Sequence, residues 1–137
     1  MKKSNMIKVL CFAAVSASLS SASAWAQPTI TCEGTVSIHE GDKTPEIVNQ
    51  VQLETAYQDE RNLALDGLTE DYNFGADFFL EKNRASLYFI EEKTGKQTSS
   101  SAFYAMPKGF GAVDLVSTEK LPNGATQMVT LSCLVRE

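Results

Sequence analysis

The sequence predicts an all-β protein, a single small domain of about eight antiparallel strands in a meander that closes, or nearly closes, into a barrel. Short runs of alternating apolar and polar residues recur about every 10–15 positions, with turn-forming residues between them. The turns are mostly short, which makes sequential strands antiparallel neighbours. Two cysteines lie near opposite ends of the strand-forming region, Cys32 in its first run and Cys133 in its last.

The first 26 residues have the pattern of a secretory signal peptide. Lysines open the chain, an apolar run follows over residues 9–19, and Ala24 and Ala26 fit the A-x-A pattern before a cut at Gln27. We therefore expect residues 1–26 to be removed and residues 27–137 to form one domain in the periplasm or outside the cell. The apolar run is shorter than the roughly 20 residues needed to cross a bilayer, and no later stretch is long enough. We expect no integral membrane span in the mature form.

The first two strands are predicted from alternation. Residues 29–38 alternate well, with Ile30, Cys32 and Val36 on one face. Residues 47–57 alternate again, but Thr44-Pro45-Glu46 also resembles a helix start, with Thr as N-cap and Pro at the first helical position. The segment 45–61 is therefore a strand with a helix as the alternative.

The middle of the chain holds the strongest strand, over residues 72–82, after a short run at 63–65. Asn83 suits a tight turn because asparagine tolerates positive φ. In the next run, residues 85–92, Leu87 and Phe89 compete with Tyr88 and Ile90 for the core, so the pattern does not decide which face is buried.

Three further runs complete the eight strands, at residues 97–106, 112–121 and 126–136. Asn123-Gly124 between the last two is the strongest hairpin signal in the chain, because Asn-Gly suits a type I′ turn.

The cysteines constrain how the meander closes. Cys11 leaves with the signal, so Cys32 and Cys133 are an even pair in an exported chain and predict one disulfide. A bridge requires Cα atoms roughly 4.4–6.8 Å apart, so the first and last strands must be close. Closure into a barrel satisfies this and removes exposed edges. A two-sheet sandwich with adjacent termini satisfies it equally and is the alternative.

The charge disfavours nucleic acid as a partner. Removing the signal takes away three lysines and none of the 17 acidic residues, which changes the formal net charge from −5 to −8. An acidic surface repels phosphate backbones and favours basic partners.

No motif in the chain points to catalysis, a cofactor or a metal centre. His39 is the single histidine, the chain has no G-x-S-x-G, and the two mature cysteines are used by the bridge. A zinc site would need more His or Cys ligands than the chain offers. Three acids around one turn, Asp66, Glu70 and Asp71, are a candidate weak cation site.

The function that fits these features is a small exported acidic binding protein, non-enzymatic, that engages another protein of basic character. Phe79, Tyr88 and Tyr104 fall opposite the predicted core and are the candidate binding surface. In overall plan the chain resembles the small periplasmic lysozyme-inhibitor barrels, although it lacks their Ser-Gly-x-x-Tyr motif. The alternative is a lipocalin-like carrier of a small apolar ligand. Its lumen would be lined by Leu63, Leu65, Phe74, Phe78 and Leu80.

Overall fold

The computed structural model of the 137-residue chain describes residues 28–104 and 110–136. These residues form nine strands, and a single turn of 3-10 helix (Leu80–Lys82) joins the fifth strand to the sixth. The strands are β1 (Thr29–His39), β2 (Glu46–Gln52), β3 (Glu54–Gln58), β4 (Asn62–Leu68), β5 (Tyr72–Phe79), β6 (Arg84–Glu91), β7 (Gln97–Phe103), β8 (Phe110–Lys120) and β9 (Thr126–Arg136).

The strands form two antiparallel sheets. Sheet A has the order β2-β1-β9-β8, and sheet B has the order β3-β4-β5-β6-β7. Neighbours within each sheet are sequential in the chain, with one exception: β1 pairs with β9 along its whole length. The predicted all-β antiparallel fold is therefore confirmed, and its first and last strands are adjacent.

The predicted disulfide is also confirmed. Cys32 and Cys133 are direct cross-strand partners, and their Cα atoms lie 4.1 Å apart. The Cys32 carbonyl oxygen accepts a hydrogen bond from the Leu53 N–H at 2.9 Å, so the backbone groups of Cys32 face β2 rather than β9. Antiparallel partners without mutual hydrogen bonds have the shortest Cα separation, which suits a bridge. Both cysteines are buried in the core.

The core lies between the two sheets and is filled by alternate residues of both. Its largest fully buried side chains are Phe74, Phe78, Leu131, Val135 and Cys32. Gly34 of β1 faces Phe74 of β5, and a Cβ atom at Gly34 would lie 2.6 Å from that ring. The missing side chain at Gly34 therefore allows the ring of one sheet to rest on the backbone of the other.

This arrangement fits the sandwich alternative better than the closed barrel. No ladder among the described residues joins sheet A to sheet B. The predicted strand at 47–57 is divided at Leu53, so β2 pairs with β1 while β3 pairs with β4. Leu53 turns into the core at this point and the chain passes from one sheet to the other. The helix alternative for this segment is wrong, because both halves are in ladders.

Two local details correct or resolve the predictions. β5 ends at Phe79, earlier than expected, and Asn83 then has φ +48°, which is the left-handed conformation predicted for it. In β6, Leu87 and Phe89 are buried, so Tyr88 and Ile90 face outward.

The β8–β9 hairpin is present, but the predicted type I′ turn is wrong. Asn83 is the one described non-glycine residue with positive φ, so Asn123 does not have the conformation that type I′ requires. Instead Gly124 (φ +87°) donates its N–H to the Leu121 carbonyl at 3.0 Å. Pro122 explains the difference, because its ring fixes φ near −65° and favours an ordinary turn closed by a glycine.

Candidate binding surface

The outer face of sheet B carries exposed aromatic side chains, two of which flank Arg84. In register, Arg84 of β6 lies between Phe79 of β5 and Phe103 of β7. The Arg84 guanidinium carbon is 5.7 Å from the centre of the Phe79 ring, within cation–π range. Phe103 is 76% exposed. We call this surface the aromatic face. It comprises Tyr57, Asp66, Asp77, Phe79, Arg84, Tyr88 and Phe103.

Tyr88 lies across the middle of the aromatic face. A Cβ atom at Gly75, its cross-strand neighbour, would overlap the Tyr88 ring. Gly75 pairs on its other side with Asp66 of β4. The glycine therefore lets the tyrosine ring lie against the sheet, between the serine-rich β7 and the acidic side of the face.

Asp77 is a half-buried carboxylate in the same face, flanked in register by Ala64 and Ser86. No hydrogen bond to its side chain occurs among the described residues. Burial raises the pKa of Asp77, because the charged form loses solvent without gaining a partner. Burial, and then the charges of Asp77 and Asp66, raise the pKa of Tyr88. Among the described residues, Asp77 thus has neither a hydrogen-bond donor nor an ion-pair partner.

The predicted surface residues separate into two groups. Phe79 and Tyr88 lie on the outer face of sheet B, away from the core. The prediction for Tyr104 is wrong: it is 5% exposed and its ring is 6.0 Å from Phe78, edge to face. Consecutive side chains of an extended chain point to opposite sides, so Phe103 is outward and Tyr104 inward.

Two exposed aromatic residues, Phe103 and Tyr57, were missed by the sequence analysis. Alternation along β7 separates Phe103 from Thr98, Ser100 and Ala102, but only the pairing with β6 shows which of the two faces is outward. Tyr57 could not be assigned to a face from its pattern, because the register of β3 shifts between Thr55 and Tyr57.

The structure divides the three acids of the candidate cation site between a strand and a turn. Asp66 points outward from β4, whereas Glu70 and Asp71 lie in the turn before β5. Thr69 closes that turn, since its hydroxyl donates to the Tyr72 carbonyl and accepts from the Tyr72 N–H. Over residues 28–104 and 110–136, no group of three or more His, Cys, Asp or Glu side chains is placed to hold a metal ion.

On the outer face of sheet A, the central acidic residue Glu33 has hydrogen-bond donors, unlike Asp77 of sheet B. Gln50 and Gln52 of β2 donate hydrogen bonds of 2.7 and 2.6 Å to the two carboxylate oxygens of Glu33. Glu33 is therefore satisfied within the fold, in contrast to Asp77. Asp114 of β8 is exposed on this same outer face.

A serine–histidine contact on sheet A was also missed by the sequence analysis. The Ser37 hydroxyl and His39 Nε2 are 3.1 Å apart, because residues two apart in a strand share a face. Ser37 is flanked in register by Ile47 and Met128. His39 is the last residue of β1.

One end of the sandwich contains a polar contact between the sheets. The Gln127 side-chain amide of sheet A donates to the Tyr72 hydroxyl of sheet B at 2.8 Å. A cavity of about 20 Å³ lies beside this contact, which is space for a single water molecule. Glu91 and Glu119 are among its lining residues.

The side chains expected to line a carrier lumen pack in the core instead. Leu63, Leu65, Phe74 and Phe78 are buried, and the partly buried Leu80 packs against them. This packing does not favour the carrier alternative.

No protein-family model, curated protein or solved structure matches the chain. In the part of the chain that the structure describes, no helix is long and apolar enough to cross a membrane. The expected cleavage residues Ala24, Ala26 and Gln27 lie outside the described residues.

Proposed function

We propose that this chain is a small exported binding protein, non-enzymatic, whose aromatic face engages a basic protein. The observation that carries the proposal is Asp77, a half-buried carboxylate without a hydrogen-bond partner among the described residues, in a face of exposed aromatic rings. An ionised carboxylate that is partly buried without a partner costs free energy, and a cation supplied by a partner would offset that cost by pairing with it.

The neighbours of Asp77 define what that cation would be. A lysine or arginine side chain that reaches Asp77 also passes the Tyr88 ring, which offers a cation–π contact. Phe79 and Phe103 then supply apolar contact around the charge, and aromatic residues are enriched in the centres of protein interfaces. A small free cation would use only the carboxylates, so the aromatic rings favour a protein partner.

Two further features support export and a basic partner. The disulfide between Cys32 and Cys133 suits an oxidising compartment, and the N-terminal pattern supplies a route there. The acidic net charge attracts basic proteins over a distance set by salt, about 10 Å at 0.1 M.

Retention of envelope proteins on the immobilised protein tests the proposal. The protein is purified as its own cell exports and processes it, and wild type is compared with Asp77→Asn and Asp114→Asn. We expect wild type and Asp114→Asn to retain the same basic proteins. Asp77→Asn should bind each purified captured protein at least about fivefold more weakly by calorimetry, because a lost charge contact in an interface has this effect or a larger one.

The two substitutions are matched, since each removes one carboxylate charge from one outer face. Burial of Asp77 disfavours its charged form, so Asp77→Asn should fold at least as stably as wild type at pH 7. Retention of no basic protein, or equal loss in the two variants, would contradict the proposed site. Native mass spectrometry of the same preparation tests the carrier alternative, which predicts an extra mass that is lost on denaturation.

A further inference from the structure

We infer that the outer edge of β7, which no described strand covers, pairs with β7 of a second copy of this chain, antiparallel about a two-fold axis at Ser100. The two five-stranded B sheets would then form one continuous ten-stranded sheet. The inference rests on the backbone of β7 and does not depend on the proposed basic partner.

The other three sheet edges carry features that block strand addition. β2 contains a register shift that leaves Val48 without a partner, and β3 has only five residues and a shift of its own. β8 carries Asp114, Glu119 and Lys120. Bulges, short strands and charges are the usual protections of sheet edges.

β7 has none of these protections. It runs for seven residues in unbroken register with β6 and contains no charged residue and no proline. Ser100 and Ala102 are exposed although their side chains are on the inward face, so β7 extends beyond the cover of sheet A. An uncharged edge in unbroken register is a template for another strand.

The hydrogen bonds to β6 identify which backbone groups are free. The Glu91 N–H donates to the Lys96 carbonyl at 2.9 Å, and the Tyr104 N–H donates to the Asn83 carbonyl at 2.8 Å. The N–H and C=O of a strand residue point to the same side, and the side alternates along the strand. Even-numbered residues of β7 therefore bond to β6. The odd-numbered residues present both groups to the edge: Gln97, Ser99, Ser101 and Phe103.

A two-fold axis at Ser100 uses all of these groups. It pairs Gln97 with Phe103 of the second copy and Ser99 with Ser101 of the second copy, each as a mutually hydrogen-bonded pair. A shift of the axis to residue 99 or 101 leaves one of the four edge residues beyond the opposing strand. With the axis at Ser100, this residue faces Ser100 of the second copy as a pair without mutual hydrogen bonds.

The side chains fit the same axis and select a second copy as the occupant. The central five residues of β7, 98–102, all have small side chains, so small side chains meet small side chains about this axis. The strand has no charge, so two acidic copies meet there without like charges in register. The exposed Phe103 ring would gain contact with Gln97 of the second copy.

Charge substitution at the axis tests this register, because Ser100 pairs with itself. Sedimentation of the exported, processed protein should show a dimer for wild type at about 100 µM, a concentration that detects weak association. Ser100→Lys and Ser100→Asp should each weaken dimerisation at least about tenfold, since like charges then face each other. An equimolar mixture of the two variants should restore the dimer. Thr118→Lys is the control, because it adds an exposed charge to the edge strand β8, and it should leave the dimer intact.

A cysteine variant provides a second measurement should the charged variants fold poorly. Ser100→Cys places two thiols on a pair of the same type as Cys32 and Cys133, so export should yield a covalent dimer. Ser99→Cys should not, because it faces Ser101 of the second copy. A monomeric wild type, an intact dimer in Ser100→Lys, or no restoration in the mixture would overturn the inference.

Discussion

Removal of the Cys32–Cys133 bond, by Cys32→Ala combined with Cys133→Ala, should lower the free energy of unfolding by about 4–5 kcal/mol. The bond joins residues 101 positions apart and so closes almost the whole described chain into one loop. In the chain-entropy treatment, closing a loop of about 100 residues lowers the entropy of the unfolded state, which raises its free energy by about 4.7 kcal/mol at 25 °C.

The native state should change little in this variant. β1 and β9 remain paired along 11 residues without the bond, and each alanine keeps the first carbon of the side chain it replaces. The effect therefore acts mainly on the unfolded chain. Since small domains have about 5–15 kcal/mol of stability in total, the variant should still fold at 25 °C but with a greatly reduced margin.

Urea unfolding of three samples measures this: oxidised wild type, wild type reduced by a thiol, and the double variant. Reduced wild type and the double variant should agree with each other. Compared with oxidised wild type, both should have a lower urea midpoint and a steeper fall of the free energy of unfolding with urea concentration, because an unbridged unfolded chain exposes more surface. A loss under about 1 kcal/mol with an unchanged dependence on urea would refute the reasoning. It would mean that the bond does not restrict the unfolded ensemble.

Two further predictions follow from single contacts. Gly34→Ala should lower the free energy of unfolding, measured in urea, by about 1–3 kcal/mol, because its new methyl group must displace the Phe74 ring between the sheets. An unchanged free energy of unfolding would show that the sheets are not in contact there. The Asp59 carboxyl should titrate by NMR with a pKa of about 2, because the Arg61 N–H and then the Tyr57 hydroxyl donate to its ionised form. Its stabilising effect is complete above the ordinary value of 3.8 and is lost as the pH falls through about 2. Tyr57→Phe should raise this pKa, and a titration near 3.8 in wild type would contradict the contact.

Alternation predicted the strands because burial on one face requires it. Residues 29–38 and 126–136 differ from β1 and β9 by at most one residue, and the cysteine pair followed from their positions. The pattern cannot show where a strand changes partners. Leu53 is apolar and in phase with its neighbours, yet the hydrogen-bond ladder changes sheets there.

The candidate surface was only partly visible for a related reason. Phe103 and Tyr104 are adjacent aromatic residues, and which of them faces outward depends on where β7 ends and how it pairs with β6. In the sequence, Asp77 is one of many polar residues that alternate with apolar ones in the predicted strands. Its distinction, burial without a hydrogen bond among the described residues, depends on which side chains surround it.

The sequence alone determined the elements of this protein. The alternation of apolar and polar residues predicted the strands, and Asn83 predicted a left-handed turn. The two cysteines required the first and last strands to meet. Only the tertiary structure decided that the strands form two sheets and that β7 lies at one edge of sheet B. The physical reason is that sheet membership depends on long-range packing, here a phenylalanine ring against a glycine backbone, and such contacts leave no periodic trace in the chain.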